Sequence, residues 1–446
     1  MSGRILISKI TPAQREKIVK MLTIQPISEQ NNSYFKNKHK FGQVDPIRLW
    51  LPKNGFLHLP YHYIFKNVGI KPNQKTIHKP MNVEFKGKLR DYQIPVYVKA
   101  MDLIQKNNTV NINVYPSFGK TVLATYIAKQ KKLRTLILLK SDLIKIWKGT
   151  TRTFLPKAKI FVIEAKKKIP DDVDVIVCMV GRIHYIPEDM LKTIGTLIID
   201  ECHQFCTEKK ARAILNFLPK YIISLTATFT KDNGFHSVIE NVCGTDRIIQ
   251  KYTNKFVVYR VATGIEMEIP QGKMGADWQG LRRSISMDRE RNLIILRILK
   301  TLLAKNRKVL VLTWLKKDHV DILMDILSKE IKSIDYMAGG KKAYKDSDVL
   351  VGTIGKIGTG FDEKEACDNF GGKRLDAIVI AGSLKSNSLL EQMVGRVFRA
   401  EHPIVVHLVD DDNISKKHWR ECRKWYMEEV NTDIKYISAN KIESIL

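Results

Sequence analysis

The stretch Asn113-Val114-Tyr115-Pro116-Ser117-Phe118-Gly119-Lys120-Thr121 closes an apolar run, Asn111–Val114, and opens a helical pattern over Val122–Gln130. A strand, a Gly-Lys-Thr turn and a helix in that order suit an anion. Gly119 lets backbone N–H groups turn toward it at a helix N-terminus, where the dipole is favourable. Lys120 can reach the outer phosphates of a nucleoside triphosphate, and the Thr121 hydroxyl can ligate Mg²⁺. Position 114, where a full phosphate-binding loop carries its first glycine, is Val. The three letters alone recur by chance, and the strand before and helix after them give them weight.

A second apolar run, Thr196-Leu197-Ile198-Ile199, leads straight into Asp200-Glu201-Cys202-His203, about 80 residues further on. Adjacent carboxylates at the end of a buried strand are expensive unless something neutralises them. Mg²⁺ is one such reason: Asp200 would hold the ion or its water, and Glu201 would polarise an attacking water. An exposed Asp-Glu turn is the plainer alternative.

Around these two motifs, short apolar runs alternate with helical patterns. The runs are Asn111–Val114, Thr135–Leu139, Ile160–Ile163, Val173–Val177, Thr196–Ile199 and Tyr221–Leu225. After a break near Asp246–Lys255 they return at Val309–Leu312, Ile334–Met337, Val349–Gly352, Ala377–Ile380 and Ile404–Leu408. Near-continuous apolar strands separated by helices require parallel sheets covered on both faces. The expected fold class is α/β, with two tandem parallel-sheet lobes at 85–250 and 255–412. A small basic α+β domain at 1–80, expected to bind nucleic acid, precedes them, joined by a linker over Lys71–Pro80, and a helical tail at 413–446 follows. The tail is expected to pack a basic helix, Ser415–Val430, across the second lobe.

Bulk composition narrows the partner. The 446 residues hold 75 Lys and Arg against 46 Asp and Glu, a formal charge of +29. Residues 1–80 alone carry 14 basic residues against three acids. A chain so basic, with no window of about 18 apolar residues to span a membrane, most often meets nucleic acid. Six cysteines without CxxC spacing argue against a disulfide scaffold or a structural zinc and for reduced thiols. The opening Met1–Lys9 has no apolar signal core, so a cytoplasmic location is expected, that of the host if the chain is viral.

Further motifs fall in order. Leu89-Arg90-Asp91-Tyr92-Gln93 lies upstream of the loop, and Ser224-Leu225-Thr226-Ala227-Thr228 follows the acidic pair. Thr353 and Thr359-Gly360-Phe361-Asp362 come next, then Gln392-Met393-Val394-Gly395-Arg396-Val397-Phe398-Arg399. Over roughly residues 85–410 this set resembles the superfamily 2 helicases with a DExH-type box, here Asp-Glu-Cys-His. The likeness is to phage recombination helicases that migrate branched DNA and to a poxviral helicase that releases transcripts. Ser117 stands where the family usually has Gly, and Thr359 where many relatives have Arg.

The resemblance implies that the two lobes are RecA-like, with ATP and Mg²⁺ as cofactors. Lys120, Asp200, Glu201, Gln392, Arg396 and Arg399 would be catalytic. Gln93, Arg90, Pro116, Ser117, Phe118, Gly119, Thr121, Gly360 and Asp362 would surround the nucleotide, Gln93 reading the adenine. Thr121 and Asp200 would hold the metal, and Ser224, Thr226 and Thr228 would couple nucleotide state to lobe motion. The arginines have a physical rationale of their own. A phosphoryl-transfer transition state spreads charge over its equatorial oxygens, and a guanidinium fork can pair with two of them. Were Arg396 and Arg399 one helical turn apart, both could do so. The nucleic-acid strand would run past Lys140, Ser141, Arg182, Trp314, Lys316 and Thr353, each after a strand's C-terminal end, where open α/β sheets place ligands.

The leading expectation is a monomeric, ATP-dependent DNA helicase or translocase acting on forked or Holliday-type DNA, a single strand or an RNA–DNA hybrid. An RNA or transcript-release helicase of the same fold, a binding protein with a decayed motor, and a restriction-enzyme motor subunit remain alternatives.

Overall fold

The computed structural model describes residues 2–25, 46–68, 78–205, 207–226, 236–272, 275–358 and 361–444. The expected linker falls mostly outside them. The chain divides into two compact units: residues 1–114 with 118–250, and residues 251–446 with 115–117.

The first unit is built on a seven-stranded parallel sheet. Its order is Arg247–Gln250, Thr109–Val114, Tyr221–Thr226, Thr196–Asp200, Thr135–Leu139, Val175–Met179 and Ile160–Val162. Every residue of Thr135–Leu139 and of Thr196–Asp200 is buried. Such strands are stable only inside a covered sheet, each buried Leu or Ile contributing roughly 1.5–3 kcal/mol. Arg247–Gln250 lies within the stretch expected to be a break. Its alternating pattern and polar ends hide an edge strand whose pairing with Asn111–Val114 only the fold supplies.

The N-terminal segment forms an antiparallel sheet of Ser2–Leu6, Phe56–Pro60 and Leu51–Lys53, with helices Pro12–Met21 and Tyr61–Val68. Thr11 starts the first helix with a capping box to Gln14, placed before Pro12. This segment has no core of its own: Leu22, Ile47, Leu57, Leu59 and Ile64 belong to one continuous core with Leu136, Ile176, Leu197 and Ile222 of the large sheet.

The second unit repeats the architecture. Its parallel sheet runs Ile334–Met337, Val349–Thr353, Val309–Thr313, Ala377–Ile380, Ile404–Val409, Val257–Ala262 and Asp433–Ser438. Side chains alternate between its two faces, Leu310, Leu312, Ile378 and Val405 on one and Val309, Val311, Val379 and Val406 on the other. The tail departs from the expected helix. Asn413–Lys424 is helical and buries Trp419 and Cys422, but Asp433–Ser438 returns as the seventh strand, paired in register with Val257–Ala262. As an edge strand it is largely exposed, so its Asp-Ile-Lys-Tyr-Ile-Ser sequence lacks the apolar run that marks the inner strands. Arg291 and Asp410, both fully buried, are bonded to each other at 2.8 Å behind this sheet.

Candidate nucleotide site and nucleic-acid interface

Three adjacent strands bring the first-unit motifs together. In register, Asn113 faces Thr226 and Leu225 faces Asp200, so the phosphate loop, Thr226 and the acidic pair leave the sheet side by side. The helix after the loop begins at Lys120, two residues earlier than the apolar pattern implied, with Gly119 at its N-cap in the left-handed region at φ +91°. A Cβ on Gly119 would stand 2.6 Å from Nε2 of Gln93. Ser117, where the resemblance would place Gly, also has a left-handed φ of +70°. Its side chain bears a strain of about 1–2 kcal/mol that glycine would avoid.

Gln93 is buried and spent within the protein. Its Nε2 donates to Phe118 O at 3.0 Å and Gly119 O at 3.3 Å, and its Oε1 accepts from Arg90 N. Tyr92 packs edge-on to Phe118 and takes a hydrogen bond from Arg90. The segment expected to read a base thus braces the phosphate loop, because its carboxamide is the nearest partner for two loop carbonyls.

Asp200 is 6% exposed. Its Oδ2 accepts from the indole Nε1 of Trp147 at 2.6 Å, and its Oδ1 from the backbone N–H of Glu201. Burial, then the neighbouring Glu201 charge, push its carboxyl up to about 6 against the pull of Trp147 and Lys120. Glu201 takes a left-handed φ of +50°, rare for a residue with a side chain and typical of functional sites. That turn aims its carboxylate back at the loop. Glu201 Oε1 lies 3.9 Å from Lys120 Nζ and its Oε2 3.3 Å from His203 Nδ1. His203 Nδ1 in turn meets Thr226 Oγ1 at 2.9 Å. Loop, acidic pair and the motif at Thr226 therefore form one chain of contacts. Trp147 and His203 join that chain of contacts beside the residues the motifs single out. His203 was legible as the last letter of the box, whereas nothing in the sequence pointed to Trp147.

Ser224 turns the other way, its hydroxyl bonded to Asn111 Oδ1 and Val110 O inside the sheet. Thr228 and Gly360 lie outside the described residues. The donors proposed for a divalent cation are all oxygens, as Mg²⁺ prefers. Asp200 keeps a lone pair on each oxygen, and Glu201 Oε2 is buried without a hydrogen bond among the described residues, so the residues fit such an ion or its water.

In the second unit, the helix Asn387–Val394 carries Gln392, half-buried, in its last turn and ends before Gly395. Arg396 and Arg399 are thus not on a helix but on the i→i+3 turns that continue it. The side chains are fixed by acceptors from the preceding motif. Arg396 donates to Phe361 O at 2.7 Å and Gly358 O at 2.6 Å, and Arg399 pairs with Asp362 at 2.9 Å. Burial alone would raise the Asp362 carboxyl, but the Arg399 charge and bond and the N–H of Glu365 hold it below its usual value. Asp362 also caps the helix Glu363–Ala366.

Of the expected strand contacts, Lys140 is exposed and Ser141 bonds Asp142. Arg182 donates to Ile163 O at 3.0 Å. Trp314 is no bare stacking face: Arg282 lies 4.0 Å over its ring and its indole donates to Ser383 O. The Lys316 stem packs on Gly339, and Thr353 is buried at its strand's end. Among the described residues, Cys178, Cys367 and Cys422 are buried free thiols, and Cys202 and Cys243 are also buried. No described helix is long and apolar enough to cross a membrane.

Residues 86–231 match the family described as type III restriction enzyme, res subunit. The 161L protein of Invertebrate iridescent virus 6, named for a helicase, is 28% identical over 96% of this chain and 97% of its own length. The L396 protein of Acanthamoeba polyphaga mimivirus, named for an ATP-dependent RNA helicase, is 24% identical over 94% of this chain and 83% of its own. Among solved structures, a Saccharomyces cerevisiae Dbp5 variant bound to RNA and ADP BeF3 aligns with a TM-score of 0.55 at 12% identity, covering 79% of this chain and 91% of that one. At such identity the likeness speaks for the fold alone. The relatives named for helicases, however, run through both sheets and beyond the ATP-binding third that the family match covers. Over that length the chain resembles the superfamily 2 helicases, and it is an ATP-dependent enzyme of the helicase type.

Proposed function

We propose that the chain is a DNA helicase or translocase that spends ATP to unwind forks or move Holliday-type branches during viral recombination, repair or replication in the host cytoplasm. The observation that carries the motor reading is the contact chain from Lys120 through Glu201 and His203 to Thr226. Without nucleotide, Lys120 is held by Glu201. A triphosphate competes for that ammonium, which frees a Glu201 oxygen to orient and deprotonate a water against the γ-phosphate. The same displacement reaches His203 and Thr226, so nucleotide state is felt at the end of a neighbouring strand. Thr121 and Asp200 would hold a divalent cation, which when bound neutralises phosphate charge. Arg396 and Arg399 are the guanidiniums proposed to meet the charge that develops on the transferred group, Arg399 giving up Asp362 to do so.

The basic N-terminal segment, fused into the first core, supports a duplex or branched substrate. The strand would be held through its phosphates by Lys140, Ser141, Arg182, Lys316 and Thr353, with little sequence preference. A phosphate-release assay with forked, four-way, single-stranded and RNA substrates tests the reading. Branched DNA should stimulate most, and Lys120→Ala should lower turnover roughly 100-fold or more. The relative named for an RNA helicase favours a second reading, RNA unwinding, and stimulation by RNA alone would establish that one instead.

A further inference from the structure

A cavity of about 680 Å³ lies at the seam between the N-terminal sheet and the first large sheet, inside one compact unit. Its rim is cationic. Arg4 comes from the strand Ser2–Leu6, Lys53 from the end of Leu51–Lys53, Lys192 from the helix Glu188–Thr193, and Lys209 and Lys210 from Glu208–Ile214. One carboxylate lines it, Glu188, which sits 3.4 Å from Lys53. Its inner wall is aliphatic, with Ile183 and Leu191 among the lining residues. A cationic rim over an apolar floor, at a volume within the roughly 300–1,000 Å³ of small-molecule sites, matches a nucleotide unit. The phosphate would meet the rim and the base would rest on the floor.

We propose that this pocket holds a nucleotide unit of the nucleic-acid strand, making the N-terminal segment half of a built binding site. Two further observations favour a strand over a free nucleotide. Gly181 lines the pocket and precedes Arg182 directly after the strand Val175–Met179, so the pocket continues the path on which the first lobe is proposed to carry its phosphates. The walls are also fixed to each other, because Leu57 and Leu59 of the N-terminal sheet share a core with Ile183 and Leu197. A preformed site of this kind gives affinity without an ordering cost.

The proposal rests on the nucleic-acid reading above, and the two fail differently. In the full chain, Lys209→Glu with Lys210→Glu is compared with Lys329→Glu with Lys332→Glu, a charge-matched pair on the second unit. Fluorescence anisotropy follows a labelled oligothymidylate across a salt series, with thermal unfolding as the folding control. The pocket variant should bind at least roughly tenfold more weakly at low salt, and its slope of log affinity on log salt should fall by about 1.4. The charge-matched control should bind like wild type. Equal loss in both variants, or wild-type binding by the pocket variant, overturns the pocket. Thymidine monophosphate that displaces the oligonucleotide mole for mole overturns the strand assignment in favour of a free-nucleotide site. Failure of the wild-type chain to bind any oligonucleotide overturns the underlying nucleic-acid reading instead.

Discussion

Replacing Trp147 with Phe removes one hydrogen bond and little else from the acidic pair. The indole is 0% exposed, and its Nε1 donates at 2.6 Å to a carboxyl that is itself buried. A hydrogen bond to a charged buried group is worth about 1.5–3 kcal/mol, against about 0.5–1.5 for a neutral acceptor. Trp147→Phe also leaves a small void, which costs the same whatever stands at position 200. A cycle with the isosteric Asp200→Asn therefore isolates the charge-assisted part, expected near 1 kcal/mol. Its pH dependence follows from the carboxyl sitting at about 6. At pH 8 Asp200 is ionised and the coupling is present; at pH 5 it is mostly protonated and the coupling fades. Asp200 itself adds a second signature. Folding raises this carboxyl, so its stabilising contribution is complete only below the usual carboxylate value and is lost as pH rises through about 6. Asp200→Asn alone should then raise stability more at pH 8 than at pH 5. Urea unfolding of the four proteins, without nucleotide or metal and followed by circular dichroism, measures all of this. A Trp147→Phe cost that is identical in both backgrounds at pH 8 would refute the reasoning.

Other substitutions probe the remaining parts. Lys120→Ala should lower kcat for ATP hydrolysis roughly 100-fold or more, as loss of a fixed transition-state donor does, in a steady-state phosphate assay. Gly119→Ala forces a Cβ into Gln93 Nε2 at a left-handed φ. It should cost about 1–2 kcal/mol and weaken ATP binding, and adding Gln93→Ala should relieve the clash but not the backbone strain. Asp410→Ala should destabilise the second unit by about 3–5 kcal/mol, because it strands the buried Arg291 charge; replacing both by apolar residues should recover most of it in the same unfolding assay. Burial pushes the Cys178 and Cys422 thiols up to about 12. Both should resist iodoacetamide at pH 8 in the native protein and react once it is unfolded, as read by mass spectrometry.

The inner strands could be read from the sequence because they are buried on both faces. Thr135–Leu139, Val349–Thr353 and Ala377–Ile380 have no solvent side, so their apolar runs stand out with nothing else known. The phosphate loop, the acidic pair and the arginine motif were legible for a related reason: a triphosphate dictates residue types at fixed spacing, and spacing survives in a linear text. The edge strands Arg247–Gln250 and Asp433–Ser438 were not legible, since one open face removes the apolar signal and leaves pairing to the neighbouring strand. Nor could order along the chain show that Gln93 braces the loop, or that Trp147 and His203 join the acidic pair, or that Arg399 is held by Asp362. Those contacts link residues between 2 and 53 positions apart whose directions are set by strand register and by two left-handed turns. Sequence carries chemistry by residue type; which atoms of those residues meet is decided when the sheet fixes where each strand ends.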